Sequence, residues 1–262
     1  MATRERGMRF SPLASATCNR HLSGMPKAMR LTQRHVDLLR REIADPGPQR
    51  IEGFRPATDE DIAEIVAEMQ RTRPAGPFWL FAYGSLIWRP ETAFVAKQTA
   101  TARGWHRRFC LGWDHRYRGS PETPGLMMAL DRGGMCKGVI YQLPEAELEA
   151  ELHKLIRREM SMVPSAFPWR WIEVSTDEGA KRVLTFAMDR NSSRYIAGLP
   201  DAELADVLAT ACGFRGSMAE YLFSTVSILD SMGIRDRNLW KLQELVAERI
   251  EARHGVDADQ PG

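Results

Sequence analysis

The 262-residue chain reads as an α+β protein, a small mixed or mostly antiparallel β-barrel or curved sheet with a core helix and helical N- and C-terminal extensions. Three observations predict it. Short apolar runs split by Gly- and Pro-containing turns fill the middle of the chain, as the strands of one curved sheet would. A single helical pattern, from Pro144 to about Met160, interrupts them. Helical periodicity then dominates on either side, before residue 75 and after Asn191.

Taken in order, residues 1–30 form a basic segment, with Arg4, Arg6, Arg9, Arg20, Lys27 and Arg30 against Glu5 alone. It has no continuous apolar stretch of the kind a secretory signal needs. The expectation is a disordered tail from an early start codon, since Met8, Met25 or Met29 could each begin the same protein. An organelle transit peptide is the alternative. Residues 31–75 read as a helical lead-in. Thr32 is positioned to cap a helix through Val36, Leu38, Leu39 and Ile43, which ends before Asp45-Pro46-Gly47-Pro48. Thr58 with Asp61 resembles a capping box, and Ile62, Ile65, Val66 and Met69 make the apolar stripe behind it.

Residues 76–190 are the expected barrel core. Phe78–Tyr83 reads as a buried strand, followed by Phe94–Thr101, Trp105–Trp113, Leu126–Asp131 and Gly138–Leu143. Pro144 suits the first turn of the core helix, where its missing N–H is not needed. Trp169–Ser175 and Val183–Met188 add two strands. Residues 191–255 hold three helices, Asp201–Cys212, Ser217–Ser231 and Arg237–Arg253, expected to pack on the core.

A net charge of +2 gives no global pull toward nucleic acid or a membrane, and no apolar stretch is long enough to span a bilayer. Cys18, Cys110, Cys136 and Cys212 lie far apart with no C-x-x-C pair. That usage fits a reducing compartment, and a soluble cytoplasmic protein is expected. The six histidines have no metal-ligand spacing, so no metal is expected. Oligomeric state is left open by the sequence.

Common catalytic signatures are absent. Ser85 is not the serine of a G-x-S-x-G elbow, because Tyr83 and Ile87 occupy the glycine positions. Two features nonetheless suggest chemistry. Tyr83-Gly84-Ser85-Leu86 ends an apolar strand, and a turn there could aim amide N–H groups at a carboxylate or an oxyanion. An ordinary strand-ending turn fits the residues equally well. Glu159 lies three, four, seven and eleven residues from Ile156, Leu155, Leu152 and Leu148. At about 100° per residue it falls on the same inward stripe. Burial there would raise its pKa toward that of a general base at neutral pH. A frayed helix end with a surface salt bridge is the alternative. The basic stretch Arg103–Arg118 reads as a solvated strand face, with attraction of a dicarboxylate substrate or a nucleic-acid contact as lesser readings.

These residues also form an ordered set. Trp79 to Pro90, containing Tyr83-Gly84-Ser85-Leu86-Ile87-Trp88, is followed by Gly104 to Phe109, Trp113 to Gly119, Pro124-Gly125-Leu126 and Gly138 to Tyr141. Arg158-Glu159-Met160, Tyr221-Leu222, Gly233-Ile234, Asp236 and Leu239 complete it. The series resembles the ChaC-type γ-glutamylcyclotransferases over roughly residues 30–250. The resemblance implies the γ-glutamylcyclotransferase-like barrel and release of 5-oxoproline from a γ-glutamyl peptide, with glutathione as substrate and cysteinylglycine as the other product. It implies no cofactor, a γ-glutamyl-binding role for Tyr83 to Trp88, and a catalytic role for Glu159. Another γ-glutamyl peptide or amine as substrate, or a non-enzymatic regulatory module on the same fold, are the alternatives. One departure stands out. Relatives typically follow the catalytic glutamate with a Gly/Ala-Tyr step, whereas here the chain runs Met160-Ser161-Met162-Val163-Pro164, leaving Ser165 and Phe167 as the nearest candidates for the tyrosine's place.

Overall fold

The central apolar runs close on themselves in the computed structural model, which describes residues 28–255; the expectations for residues 1–27, Cys18 included, lie outside the described residues. In chain order the elements are α1 (Gln33–Leu38), β1 (Arg55–Pro56), α2 (Asp59–Thr72), β2 (Trp79–Ala82), α3 (Ser85–Trp88), β3 (Ala96–Asp114) and β4 (Gly125–Gln142). A 3-10 turn at Glu145–Glu147 leads into α4 (Leu148–Glu159), then β5 (Met162–Val163), β6 (Trp169–Thr176) and β7 (Gly179–Phe186). α5 (Asp201–Leu208), β8 (Cys212–Gly213), β9 (Gly216–Ser217), α6 (Met218–Ser231) and α7 (Arg237–His254) follow.

Strands β2, β4, β3, β6 and β7 form a closed barrel in that order. Every pairing is antiparallel except that of β2 with β7, which runs parallel at Leu80 and Leu184. Four consecutive buried residues make β2 apolar on both faces, as a strand with the barrel on one side and helices on the other must be. Its Ala82 carbonyl lies so close to Gly138 of β4 that a Cβ there would approach it to 2.4 Å.

The structure joins what the sequence divides. Phe94–Thr101 and Trp105–Trp113 are one strand, β3, beginning at Ala96; Leu126–Asp131 and Gly138–Leu143 are likewise one strand, β4. Gly104 reads locally as a turn, but it sits at φ +79 in a bulge where the register slips between Arg103 and Trp105. An extra residue bends and twists a strand instead of ending it. The bend lets one long hairpin wrap the barrel.

Helix limits also differ from the periodicity. The first helix stops at Leu38 and does not reach Ile43, because the buried positions end with Leu39 and the following Arg40 to Glu42 have nothing to pack against. The helix expected over Asp201–Cys212 ends at Leu208, since Cys212 and Gly213 pair with Ser217 and Gly216 in a hairpin. The capping box at Thr58 and Asp61 forms as expected. The basic stretch is only in part a solvated face: Arg103 is exposed and Arg108 and Arg116 are half-buried, but two of its arginines are not solvated. Arg107 is buried beside Cys136 and 3.5 Å from Asp236, and Arg118 is buried against Glu220 at 2.5 Å.

Asp236 therefore has two tasks. One oxygen caps α7, accepting from the N–H groups of Asn238 and Leu239, and the other faces the buried Arg107 guanidinium. Loss of a cap alone costs about 1 kcal/mol, and leaving a buried cation without its carboxylate adds to that. Asp236→Ala is expected to lose more than about 2 kcal/mol in chemical denaturation, against about 1 for the Ser217→Ala cap of α6.

Candidate active site

The strand β2 ends at Ala82 and delivers Tyr83, almost fully buried, into the barrel end. The segment that follows is one helical turn, α3, with Gly84 at its N-terminal boundary and the Ile87 N–H returning to the Gly84 carbonyl at 2.9 Å. Leu86 and Ile87 are buried, and the Tyr141 hydroxyl donates to the Ile87 carbonyl at 3.0 Å. Trp88 donates from its indole N–H to Thr225 of α6 at 3.1 Å. These three residues fasten the turn, while Tyr83, Gly84 and Ser85 form its inner side.

Helix α6 lies against α3 and brings Tyr221 to that inner side. Its ring packs edge-on to Trp88 at 5.8 Å and Phe109 at 5.9 Å, with the Arg118 guanidinium 5.7 Å from the ring centre. The phenol oxygen rests on Gly84 so closely that a Cβ there would come within 3.1 Å of it, and Ser85 approaches the same oxygen through its hydroxyl and its amide. Gly84 is thus small because Tyr221 occupies the space a side chain would need.

Glu159 is the last residue of α4. Leu148, Leu152, Leu155 and Ile156 are buried, and Glu159 prolongs their stripe with 15% of its side chain exposed. Arg158 turns its Nε to the Glu159 carboxylate at 2.9 Å. The rest of its guanidinium is spread over the Arg89 carbonyl at 2.5 Å, the Ser85 hydroxyl at 3.2 Å and Glu91 at 3.4 Å. Burial raises the Glu159 pKa above the ordinary carboxylate value; Arg158 opposes the shift and Glu91 adds to it. Tyr83 and Tyr221 are both pushed above the usual phenol value, first by burial and then by the Glu159 charge. Both remain protonated donors at neutral pH.

Behind Glu159, β5 pairs with β1, so the lead-in covers the chain just past the glutamate. A small pocket of about 40 Å³ opens there, lined by Glu159, Phe54, Met162, Ser165, Phe167 and Arg194, among others. Phe167 packs on Phe186 at 6.2 Å, and Ser165 shares the pocket, so the loop without the tyrosine stays next to the glutamate.

Sequence reasoning had no role for Tyr221, although Tyr221-Leu222 stood in the motif series; nothing local ties it to Glu159. Arg158 and Arg194 were also missed. Glu151 was missed as well: it is buried on α4, accepting from the Ala93 N–H at 2.9 Å and Lys154 at 2.6 Å, and it fixes the loop that leads from α3 into β3.

The barrel and its helices are those of a γ-glutamylcyclotransferase fold. A crystal structure of the glutathione-specific γ-glutamylcyclotransferase from yeast superposes with a TM-score of 0.62 at 20% identity, covering 68% of this chain and 98% of that one. The family model described as ChaC-like protein matches residues 78–249, and the chain belongs to that family. It is 36% identical over 199 residues to the glutathione-specific γ-glutamylcyclotransferase of Escherichia coli K12, covering 74% of this chain and 85% of the relative. The relative from Schizosaccharomyces pombe of the same name is 38% identical over 208 residues, covering 70% and 98%.

A raised carboxyl pKa has a stability consequence. Between the unfolded value and the higher folded one, the folded state holds more protons, so stability falls as pH rises through that window. Below the unfolded value the effect vanishes. Glu159→Gln removes the ionisable group, so it is expected to be more stable than wild type at pH 7 and equal to it near pH 4, in urea denaturation followed across that range.

Proposed function

We propose that the chain is an enzyme that degrades glutathione to 5-oxo-L-proline and L-cysteinylglycine, a γ-glutamylcyclotransferase acting on a small-molecule substrate. The observation that carries this reading is a carboxylate, Glu159, whose pKa burial raises and whose charge is felt by the two buried phenols Tyr83 and Tyr221, the second of them seated on the Gly84–Ser85 turn. Membership of the ChaC-like family and the names of its relatives support the choice of substrate.

The chemistry needs few groups. Nucleophile and electrophile belong to one molecule, so the site mainly folds the γ-glutamyl arm into a near-attack shape. Glu159 takes a proton from the α-ammonium group. The freed amine attacks the γ-carbonyl carbon and closes a five-membered ring. Collapse of the tetrahedral centre breaks the C–N bond to cysteinylglycine as the protonated Glu159 gives its proton to the departing nitrogen. The carboxylate so regenerated takes the second proton from the ring nitrogen, leaving 5-oxoproline as a neutral lactam, and passes it to the released amine or to solvent. Tyr83 and Tyr221 are O–H donors suited to the developing oxyanion, and the backbone of residues 84–86 is suited to the same oxyanion or the α-carboxylate. Leu86, Ile87 and Trp88 hold that backbone in register. In this reading Tyr221, reaching the site from α6, does the work of the tyrosine that relatives carry after the glutamate.

Glu159→Gln is expected to remove turnover while leaving glutathione affinity within about threefold of wild type; 5-oxoproline release at the wild-type rate would sink the mechanism. Tyr221→Phe should keep the fold and lower kcat by roughly ten- to a hundredfold, the scale for one oxyanion donor or less. Because Glu159 must be ionised to act as base, kcat/KM for glutathione should climb with pH through a limb lying above the ordinary carboxylate range. A limb near pH 4 would mean that the glutamate is not the titrating base.

A further inference from the structure

Arg194 lies in the irregular segment between β7 and α5, and its guanidinium is placed without an obvious task. Its Nε donates to the Gly112 carbonyl at 3.1 Å, which fixes the direction of the side chain. Neither terminal nitrogen has a hydrogen-bond or ion-pair partner among the described residues. Asp114 is the carboxylate whose charge it feels, but that group is committed to the N–H groups of Arg116, Tyr117 and Arg118 at 3.3, 3.1 and 2.5 Å. Burial depresses the Arg194 pKa from its usual value, so the cation is held partly out of water. A desolvated guanidinium with a free fork is well suited to a planar carboxylate, which it can bind through two parallel hydrogen bonds.

The position of Arg194 decides which carboxylate. It lines the small pocket that also reaches Glu159, and none of Tyr83, Ser85 or Tyr221 lines that pocket. The pocket is therefore bounded by other residues than the face of the glutamate that meets the Gly84 turn. If the reacting γ-carbonyl sits at Glu159 with its glutamyl end on the turn, the departing half of the substrate extends the other way. Resting on the cyclotransferase reading above, we propose that Arg194 binds the C-terminal carboxylate of the departing peptide, the glycyl carboxylate of glutathione, and so sets preference for substrates with a free C-terminus. The pocket, at about 40 Å³, is smaller than a dipeptide, so the proposal requires Phe54 and the 161–167 loop to give way when it is filled.

The test compares glutathione with its glycyl monoethyl ester in wild type and in Arg194→Gln and Arg194→Lys, following 5-oxoproline. Wild type should favour glutathione over the ester by about tenfold or more in kcat/KM, the scale of one charge-assisted pair. Arg194→Gln should raise KM for glutathione by a similar factor with kcat within twofold, leave the ester unchanged and so abolish the preference; Arg194→Lys should restore part of it. Equal use of both substrates by wild type overturns the proposal without any variant. So does an equal loss on both substrates in Arg194→Gln, which would assign Arg194 to the glutamyl end or to folding. Absence of 5-oxoproline from either substrate in wild type would instead refute the cyclotransferase reading itself.

Discussion

A carboxylate at the C-terminal end of a helix, largely out of water, meets two penalties together. Burial disfavours its charge, and the carbonyl ends of the last helical turn present negative potential to it. Glu159 meets both at the end of α4, with Glu91 close enough to add a third. What opposes the upward shift is Arg158, its chain neighbour. That guanidinium is not given over to the glutamate: it also holds the Ser85 hydroxyl, the carbonyls of Arg89 and Pro90, and Glu91. The attraction is divided, so the carboxyl stays shifted upward, and the same side chain ties the end of α4 to the start of α3. The position of the turn and the basicity of the glutamate therefore have one cause.

The tyrosines extend that dependence to the C-terminal helices. Tyr221 reaches the turn only because α6 starts where it does, with Ser217 capping Glu220 and Glu220 in turn paired with the buried Arg118 of the β3–β4 loop. Thr225, one helical turn on, receives the Trp88 indole and returns its own hydroxyl to the Tyr221 carbonyl at 2.8 Å. Removing α6 would leave Gly84 facing a void and the turn without its lateral contacts. The C-terminal helices are thus part of the site, and the barrel alone would carry only half of it.

Periodicity and turn chemistry made much of this legible. The core helix, its inward stripe and the glutamate on it follow from the spacing of Leu148, Leu152, Leu155 and Ile156, because a helix repeats every few residues and each position constrains the next. Strand presence was readable for the same reason, but strand continuity was not. A glycine at Gly104 has the same local signature in a turn as in a bulge, and only the opposing Gly133 and Gly134 decide between them. Arg107 and Arg118 were misjudged as solvated because their partners, Asp236 and Glu220, stand far along the chain. Tyr221, Arg194 and the reach of Arg158 to Ser85 and Arg89 stayed invisible on the same ground: each rests on a contact that the fold makes and the sequence order does not.

The site that results has an uneven distribution of charge. On the turn side of Glu159 two protonated phenols, a serine hydroxyl and backbone amides face the site, and the Arg158 cation there is already divided among Glu159, Ser85, Glu91 and the Arg89 carbonyl. On the pocket side stands Arg194, whose two terminal nitrogens have no hydrogen-bond or ion-pair partner among the described residues. Neutral donors serve a transition state well, since they strengthen as the oxyanion develops and do not hold the ground state as a fixed cation would. A fixed cation serves recognition well, since its attraction to a carboxylate is present from the first encounter and does not change as the ring closes. A second positive group on the turn side would add to Arg158 in lowering the Glu159 pKa and would weaken it as a base, so a recognition cation is better placed away from the turn. With the proposed roles, specificity and catalysis are separable in this fold, the first through the segment before α5 and the second through β2, α4 and α6.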